Sequence, residues 1–313
     1  MWILLPGIVY VLLQSCSARQ SGCPPASQVE PCVCTNSGIT YLKCQNIDDT
    51  DTLSNVFIKS SNYRYTEVHI EQSVLQFLPS DMFQGVQIKE LHLKNVTLVE
   101  LFDEEPNNLD MLDVLHIERT NVFRGMNWEL LKPMKNLRVL TVYFDSIPTL
   151  ELDFSESVNK NLQQLTFYGT ETAEISQGAL ENFEKLEKVA FEACELTELK
   201  RSMFPHPFNV KVLHFNDNKL TTIPKNMFTG MPNLQTLGLR KNQISVLPAT
   251  AFVGSLEKLE YLFLDNNPLR CDCKILWLIK HKPLGLTGTC YNLQDQNLKD
   301  IEVTDIPCIE PLF

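Results

Sequence analysis

Nine segments of the chain repeat one pattern at spacings of 23 to 25 residues, with an apolar residue at positions 1, 4 and 6 and a turn residue at position 9. Position 4 is held in turn by Val68, Leu91, Leu115, Leu140, Leu165, Val189, Leu213, Leu237 and Leu262. A unit of this length cannot bury its own apolar face, so successive units must stack into one continuous core. In segments such as Leu237-Gly238-Leu239 and Leu262-Phe263-Leu264, the strand period of two sends the leucines inward and the residues between them outward. At position 9 the chain turns, and the side chain there must bond backbone groups that the turn leaves bare. Asn218, Asn242 and Asn267 occupy that ladder column in the last three units. Ser73, Val96, Thr120, Asp145, Thr170 and Cys194 occupy it earlier, so the C-terminal units should be the most regular. The expected fold is an α/β solenoid with a parallel sheet on its concave side and short helical or irregular turns on its convex side. Phe83, Phe228 and Phe252 should fill the core beneath those turns.

The opening MWILLPGIVYVLLQSCSA reads as a signal peptide over residues 1–18, with a small-residue cleavage site at Cys16-Ser17-Ala18. Its apolar run is shorter than the roughly 20 residues a membrane helix needs, and no later run supplies a membrane span. A secreted, extracellular protein is therefore expected. The net charge is −11 with no basic block, which argues against nucleic acid or an anionic membrane as partner. Eight cysteines form two terminal groups, Cys23, Cys32, Cys34 and Cys44 before the repeats and Cys271, Cys273, Cys290 and Cys308 after them. In an exported chain such groups read as disulfide frameworks, with zinc as the lesser alternative. A solenoid must cover its two open ends, and cysteine-tied caps there would do so. The ninth, Cys194, falls on the ladder column and reads as a buried structural thiol.

These features resemble the extracellular leucine-rich repeat superfamily from about Cys23 to Cys308. The most specific piece is PLRCDCKILWL at 268–278, similar to that family's C-terminal cap. The resemblance implies a curved leucine-rich repeat horseshoe in which Cys271 pairs with Cys290 and Cys273 with Cys308. At the N-terminus it implies Cys23–Cys34 and Cys32–Cys44, and it makes Trp277 the cap residue that packs on the last repeat. The implied organisation is an N-terminal cap over residues 19–64, nine repeats over 65–267 and a C-terminal cap over 268–313. The opening CPPASQVEPCVCTNSGITYLKC and the degenerate middle repeats also resemble small secreted arthropod leucine-rich repeat proteins. Those are similar to the non-catalytic subunit of a shrimp luciferin 2-monooxygenase. This narrower resemblance implies an accessory scaffold for a small catalytic chain.

No nucleophile motif, phosphate loop or metalloprotease motif occurs, and no acid, base and nucleophile converge. The chain is expected to be non-catalytic, with no cofactor and no metal. The outward central positions of successive strands are His69, His92, His116, Thr141, Thr166, Ala190, His214, Gly238 and Phe263. Four of the six histidines lie on this column, bordered by Glu67, Glu71, Glu90 and Glu118. A polar solvated face is the plain reading; a proton-sensitive surface or a metal site is the sharper one. The histidines are expected to charge below about pH 6.5 with no large depression. Tyr143, Tyr168, Tyr261 and Phe263 share the face and, with His69, His92, His116 and His214, are expected to bind a protein partner; Phe144 follows on the same face as its weakest member, because it lies next to the ladder. A sequon places a candidate glycan on Asn95. Carbohydrate or a microbial surface is the alternative ligand, and nothing in the pattern selects a homo-oligomer.

Overall fold

The computed structural model of the chain describes residues 20–306 and 308. The expected signal peptide at 1–18 lies outside the described residues. Parallel strands pair in register so that Leu42, Val68, Leu91, Leu115, Leu140 and Leu165 stand side by side, followed by Val189, Leu213, Leu237, Leu262 and Leu286. All of these are buried. Their strands belong to one thirteen-stranded sheet, the concave side of a leucine-rich repeat horseshoe. Beyond the nine repeats the sheet continues through Thr40–Gln45 and the antiparallel Val33–Asn36 at one end and through Gly285–Thr287 at the other.

Each strand leaves the sheet through a left-handed residue at position 8 of its repeat. Gln72, Asn95, Arg119, Phe144, Gly169, Ala193, Asp217, Lys241 and Asn266 all have φ between +48° and +63°. One residue later the ladder side chain takes over the freed backbone groups. Asn242 Nδ2 donates to the carbonyls of Phe215, Leu239 and Arg240 at 2.8 to 3.1 Å, and its Oδ1 accepts from Leu220 N at 3.0 Å. Asn218 and Asn267 repeat this pattern. The strands there are short, three residues at Val212–His214, Thr236–Gly238 and Tyr261–Phe263. Where Ser73 and Val96 hold the ladder position, backbone pairing continues past it, and the strands lengthen to Arg64–Val74 and Gln87–Leu98.

The core behind the sheet is filled from the convex side by aromatic rings. Phe57 meets Phe83 edge-on at 4.9 Å, Trp128 meets Phe154 at 4.9 Å, and Phe228, Phe252 and Trp277 continue the row at 4.9 and 4.7 Å. Short helical turns carry several of these residues, at Trp128–Leu131, Leu152–Ser157 and Ala249–Phe252. The N-terminal end is closed by an antiparallel hairpin of Val33–Asn36 with Thr40–Gln45, and by the helix Thr50–Lys59. That helix starts on Asp49, whose carboxylate accepts from Thr52 N at 2.8 Å. Its Leu53, Val56 and Phe57 recur at helical spacing and are buried. Disulfides join Cys23 to Cys34 and Cys32 to Cys44 at this end, and Cys271 to Cys290 and Cys273 to Cys308 at the other. Trp277 Nε1 donates to Leu247 O at 3.0 Å, fastening the C-terminal cap to the last turns. Cys194 is free and buried, with Sγ 3.3 Å from Glu192 O and from Thr170 Oγ1.

Candidate functional site

The parallel register converts the sequence columns into rows across the concave face. His69, His92, His116 and Thr141 stand on adjacent strands, as do Glu71, Lys94, Glu118, Tyr143 and Tyr168 two residues further along. Strand spacing of about 4.8 Å brings neighbouring rings into stacking range. His69 and His92 are parallel at 4.1 Å, with an interplanar angle of 12°. His92 to His116 is 5.3 Å, His116 to Tyr143 is 5.2 Å, and Tyr143 to Tyr168 is 5.8 Å. Tyr41, from the strand inside the N-terminal cap, extends this ladder with its ring 4.7 Å from His69. Phe144 closes the other end edge-on to Tyr168 at 5.3 Å, with the Arg119 guanidinium over its ring at 4.5 Å.

Phe144, the weakest member of the expected aromatic set because of its place beside the ladder, is 45% exposed and faces outward with the others. Its φ of +57° swings the side chain out over Gly169. A Cβ on that glycine would lie 2.8 Å from Phe144 Cδ1, and the glycine itself sits at φ +63°, so this site needs a residue without a side chain.

Carboxylates border the ladder throughout. His69 Nε2 lies 3.1 Å from Glu67 and its Nδ1 3.6 Å from Glu71. His92 Nε2 lies 3.5 Å from Glu90 Oε2 without a hydrogen bond and is buried. His116 Nδ1 meets Thr141 Oγ1 at 2.6 Å. Lys43 and Gln45 both reach Glu71 at 3.0 Å, and Lys94 and Arg119 reach Glu118 at 3.2 and 2.5 Å.

The expectation of no large depression of the histidines is corrected. Burial pushes the His92 imidazole down to about 4, with His69 and His116 adding in the same direction and Glu71 opposing them. His116 is lowered too, first by burial. Burial raises Glu90, and the neighbouring Glu67 raises it further. Tight stacking explains what counting carboxylates missed: each ring removes water from the next, and that loss outweighs the acids at the rim.

The remaining face residues form separate groups. His214 Nδ1 and Asn216 Nδ2 share the Glu192 carboxylate at 3.0 and 2.9 Å. Burial works to raise Glu192, but these two bonds hold it below the usual carboxylate range. Thr166 and Ala190 stand between this group and the ring ladder in the central row. Further along, Tyr261 and Phe263 lie 6.3 Å apart, and Arg240 stacks on Phe263 at 4.1 Å while bonding Asp265 at 2.8 Å. Asn95 is exposed at its left-handed turn beside the histidine end.

Tyr41 and Arg119 were missed as site residues by sequence reasoning. Tyr41 had a usable signal, because Ile39, Leu42 and Cys44 fit positions 1, 4 and 6 of the repeat pattern. Arg119 had none, since its reach depends on the turn at position 8.

Comparison with known proteins agrees with this architecture. The leucine rich repeat family model matches residues 184–244 and 232–271, the segment that carries the asparagine ladder. No curated protein matches the chain. Among solved structures, the crystal structure of a TLR13–ssRNA13 complex is similar, with 19% identity and a TM-score of 0.56. The match covers 79% of this chain but only 31% of that one, so this chain spans about a third of the TLR13 chain. The exclusion of nucleic acid drawn from net charge is corrected by this finding: a solenoid of the same fold is seen in complex with single-stranded RNA, and overall charge does not rule out a class of ligand for the fold. Among the described residues no helix is long and apolar enough to cross a membrane. The chain therefore has a leucine-rich repeat fold.

Proposed function

We propose that this protein is a secreted recognition molecule whose concave face binds a carbohydrate or microbial-surface ligand. The observation that carries the reading is the unbroken ladder from Tyr41 to Phe144, edged by carboxylates and amides. The outward ring edges and the exposed Phe144 give apolar contact, and the flanking Glu67, Gln45, Glu118 and Thr141 supply acceptors and donors at the spacing of the strands. Polyhydroxylated ligands need both kinds of contact side by side. Four disulfides support export to an oxidising compartment, as does the apolar opening of the sequence. The exposed turn at Asn95 suits an N-linked glycan in that compartment. The accessory-subunit reading has no structural observation of its own and ranks second.

The test is binding of the purified full chain to immobilised peptidoglycan, β-glucan, chitin, lipopolysaccharide and single-stranded RNA. Saturable binding to one of the glycan surfaces supports the proposal. Tyr143→Ala and Tyr168→Ala should each weaken it by about 2 kcal/mol, the scale of a central aromatic anchor. Capture of RNA alone, or glycan binding unchanged in both variants, overturns it.

A further inference from the structure

The N-terminal end of the concave face carries a second chemistry, built from residues of the ring ladder itself. Adjacent strands Arg64–Val74 and Gln87–Leu98 each present glutamate and histidine two residues apart, and the parallel register sets Glu67 beside Glu90 and His69 beside His92. One ligand atom from each of Glu67, His69 and His92 lies within 4.8 Å of the other two.

We propose that Glu67, His69 and His92 form a binding site for a zinc-class divalent cation, with Glu90 in reach as a further carboxylate ligand. Three observations carry this. His92 Nε2 is buried and has no hydrogen-bond partner, which in a folded protein is costly unless something else takes its lone pair. Glu90 Oε2 is only 3.5 Å from that nitrogen, and Glu67 Oε2 is 3.1 Å from His69 Nε2, so two carboxylate–imidazole pairs face one another across a strand spacing. Finally, the register sets the Glu67 and Glu90 carboxylates side by side on adjacent strands, and a dication between them would neutralise two like charges.

The donor set fixes the class of metal. Two imidazoles and carboxylate oxygens suit Zn(II), Cu(II) or Ni(II), whereas Ca(II) and Mg(II) require oxygen ligands throughout. Tetrahedral ligands at about 2.0–2.1 Å from zinc stand about 3.4 Å apart, so closing from the present spacing requires the stacked imidazoles to turn toward one another. All three side chains retain 20 to 26% exposure, which leaves a coordination position open toward the concave face.

The test is calorimetric titration of untagged full-length protein with ZnCl2 at pH 7.5, with CaCl2 as control and Co(II) as a spectroscopic probe. One zinc per chain, no calcium, and Co(II) visible bands of a nitrogen–oxygen site are expected. Loss of an outer-shell partner in metal sites typically costs about 10- to 100-fold in affinity, so loss of a ligand should cost no less. His92→Gln and Glu67→Gln should each weaken zinc binding at least about tenfold, and His214→Gln, in the same row but outside the site, should leave it unchanged. Should a variant misfold, the decision passes to nuclear magnetic resonance of the native chain, where zinc must shift the His69 and His92 ring signals and spare His214. Absence of stoichiometric zinc binding, equal weakening by His214→Gln, or zinc shifts confined to other histidines overturns the proposal.

Discussion

Single side chains on the ladder column carry very different loads. Asn242 satisfies three carbonyls and one backbone N–H in the interior. Each buried group left unpaired costs about 1–3 kcal/mol, so Asn242→Ala should destabilise the protein by at least about 2 kcal/mol in urea unfolding. Cys194 makes only weak sulfur contacts at the equivalent place, and Cys194→Ala should cost about 1 kcal/mol or less in the same assay. A larger loss for the cysteine than for the asparagine would mean that the ladder is held by packing and not by hydrogen bonds. These roles were legible in the sequence because position 9 is defined by counting. The environment of Phe144 was not, because its outward pose depends on a left-handed turn and on the missing side chain of Gly169 in the next repeat. Gly169→Ala should therefore displace the Phe144 ring and cost about 1 kcal/mol, visible as loss of the Arg119–Phe144 contact in a crystal structure of the variant.

Elements were legible where one apolar period spoke clearly. The strands centred on Val68 through Leu262 follow directly from the repeat. The two parallel strands that flank the repeats were obscured by their surroundings. Thr40–Gln45 sits among the cysteines, and Cys44, which occupies an apolar repeat position, is tied to Cys32. Gly285–Thr287 has Pro283 and Gly288 at the positions where leucine would announce a repeat. These outer strands shield the sheet edges, and the disulfides hold the caps on them. Breaking one bridge in a small disulfide-tied unit typically costs about 2–5 kcal/mol. Cys273→Ser should thus fray the C-terminal end first, with hydrogen exchange rising over Leu262 to Trp277 while the strand at Leu165 keeps its protection. Uniform loss along the whole solenoid would instead show that the cap governs global folding.

Across the whole molecule, two buried groups with opposite titrations shape the dependence of stability on pH. Asp145 stands on the ladder column where other repeats carry asparagine; its Oδ2 has no partner, and burial pushes its carboxyl up to about 7. An unfolded aspartate titrates near 3.9. Between these values the folded state holds a proton that the unfolded state lacks, so this group lowers stability as pH rises from about 4 to about 7. His92 works the other way, with a folded value of about 4 against about 6.5 unfolded. Between those values the unfolded state holds the extra proton, so this group lowers stability as pH falls from about 6.5 to about 4. The two limbs differ in origin: one is a charged acid on a column built for a neutral amide, the other an imidazole dried by its stacked neighbours. Asp145→Asn restores the amide and should stabilise the protein by about 2 kcal/mol at pH 8, with most of the gain gone near pH 4, where the folded acid is protonated and the unfolded one is about half protonated. His92→Gln should give its gain relative to wild type at pH 4.5 and lose it above pH 7, measured with a chelator present so that no metal competes for the ring. Urea unfolding of the wild type and both variants from pH 4 to 8 separates the limbs, since titrations common to all three proteins cancel in the differences. An Asp145→Asn gain that does not change with pH would place the Asp145 carboxyl in contact with water and remove it as the source of the alkaline limb.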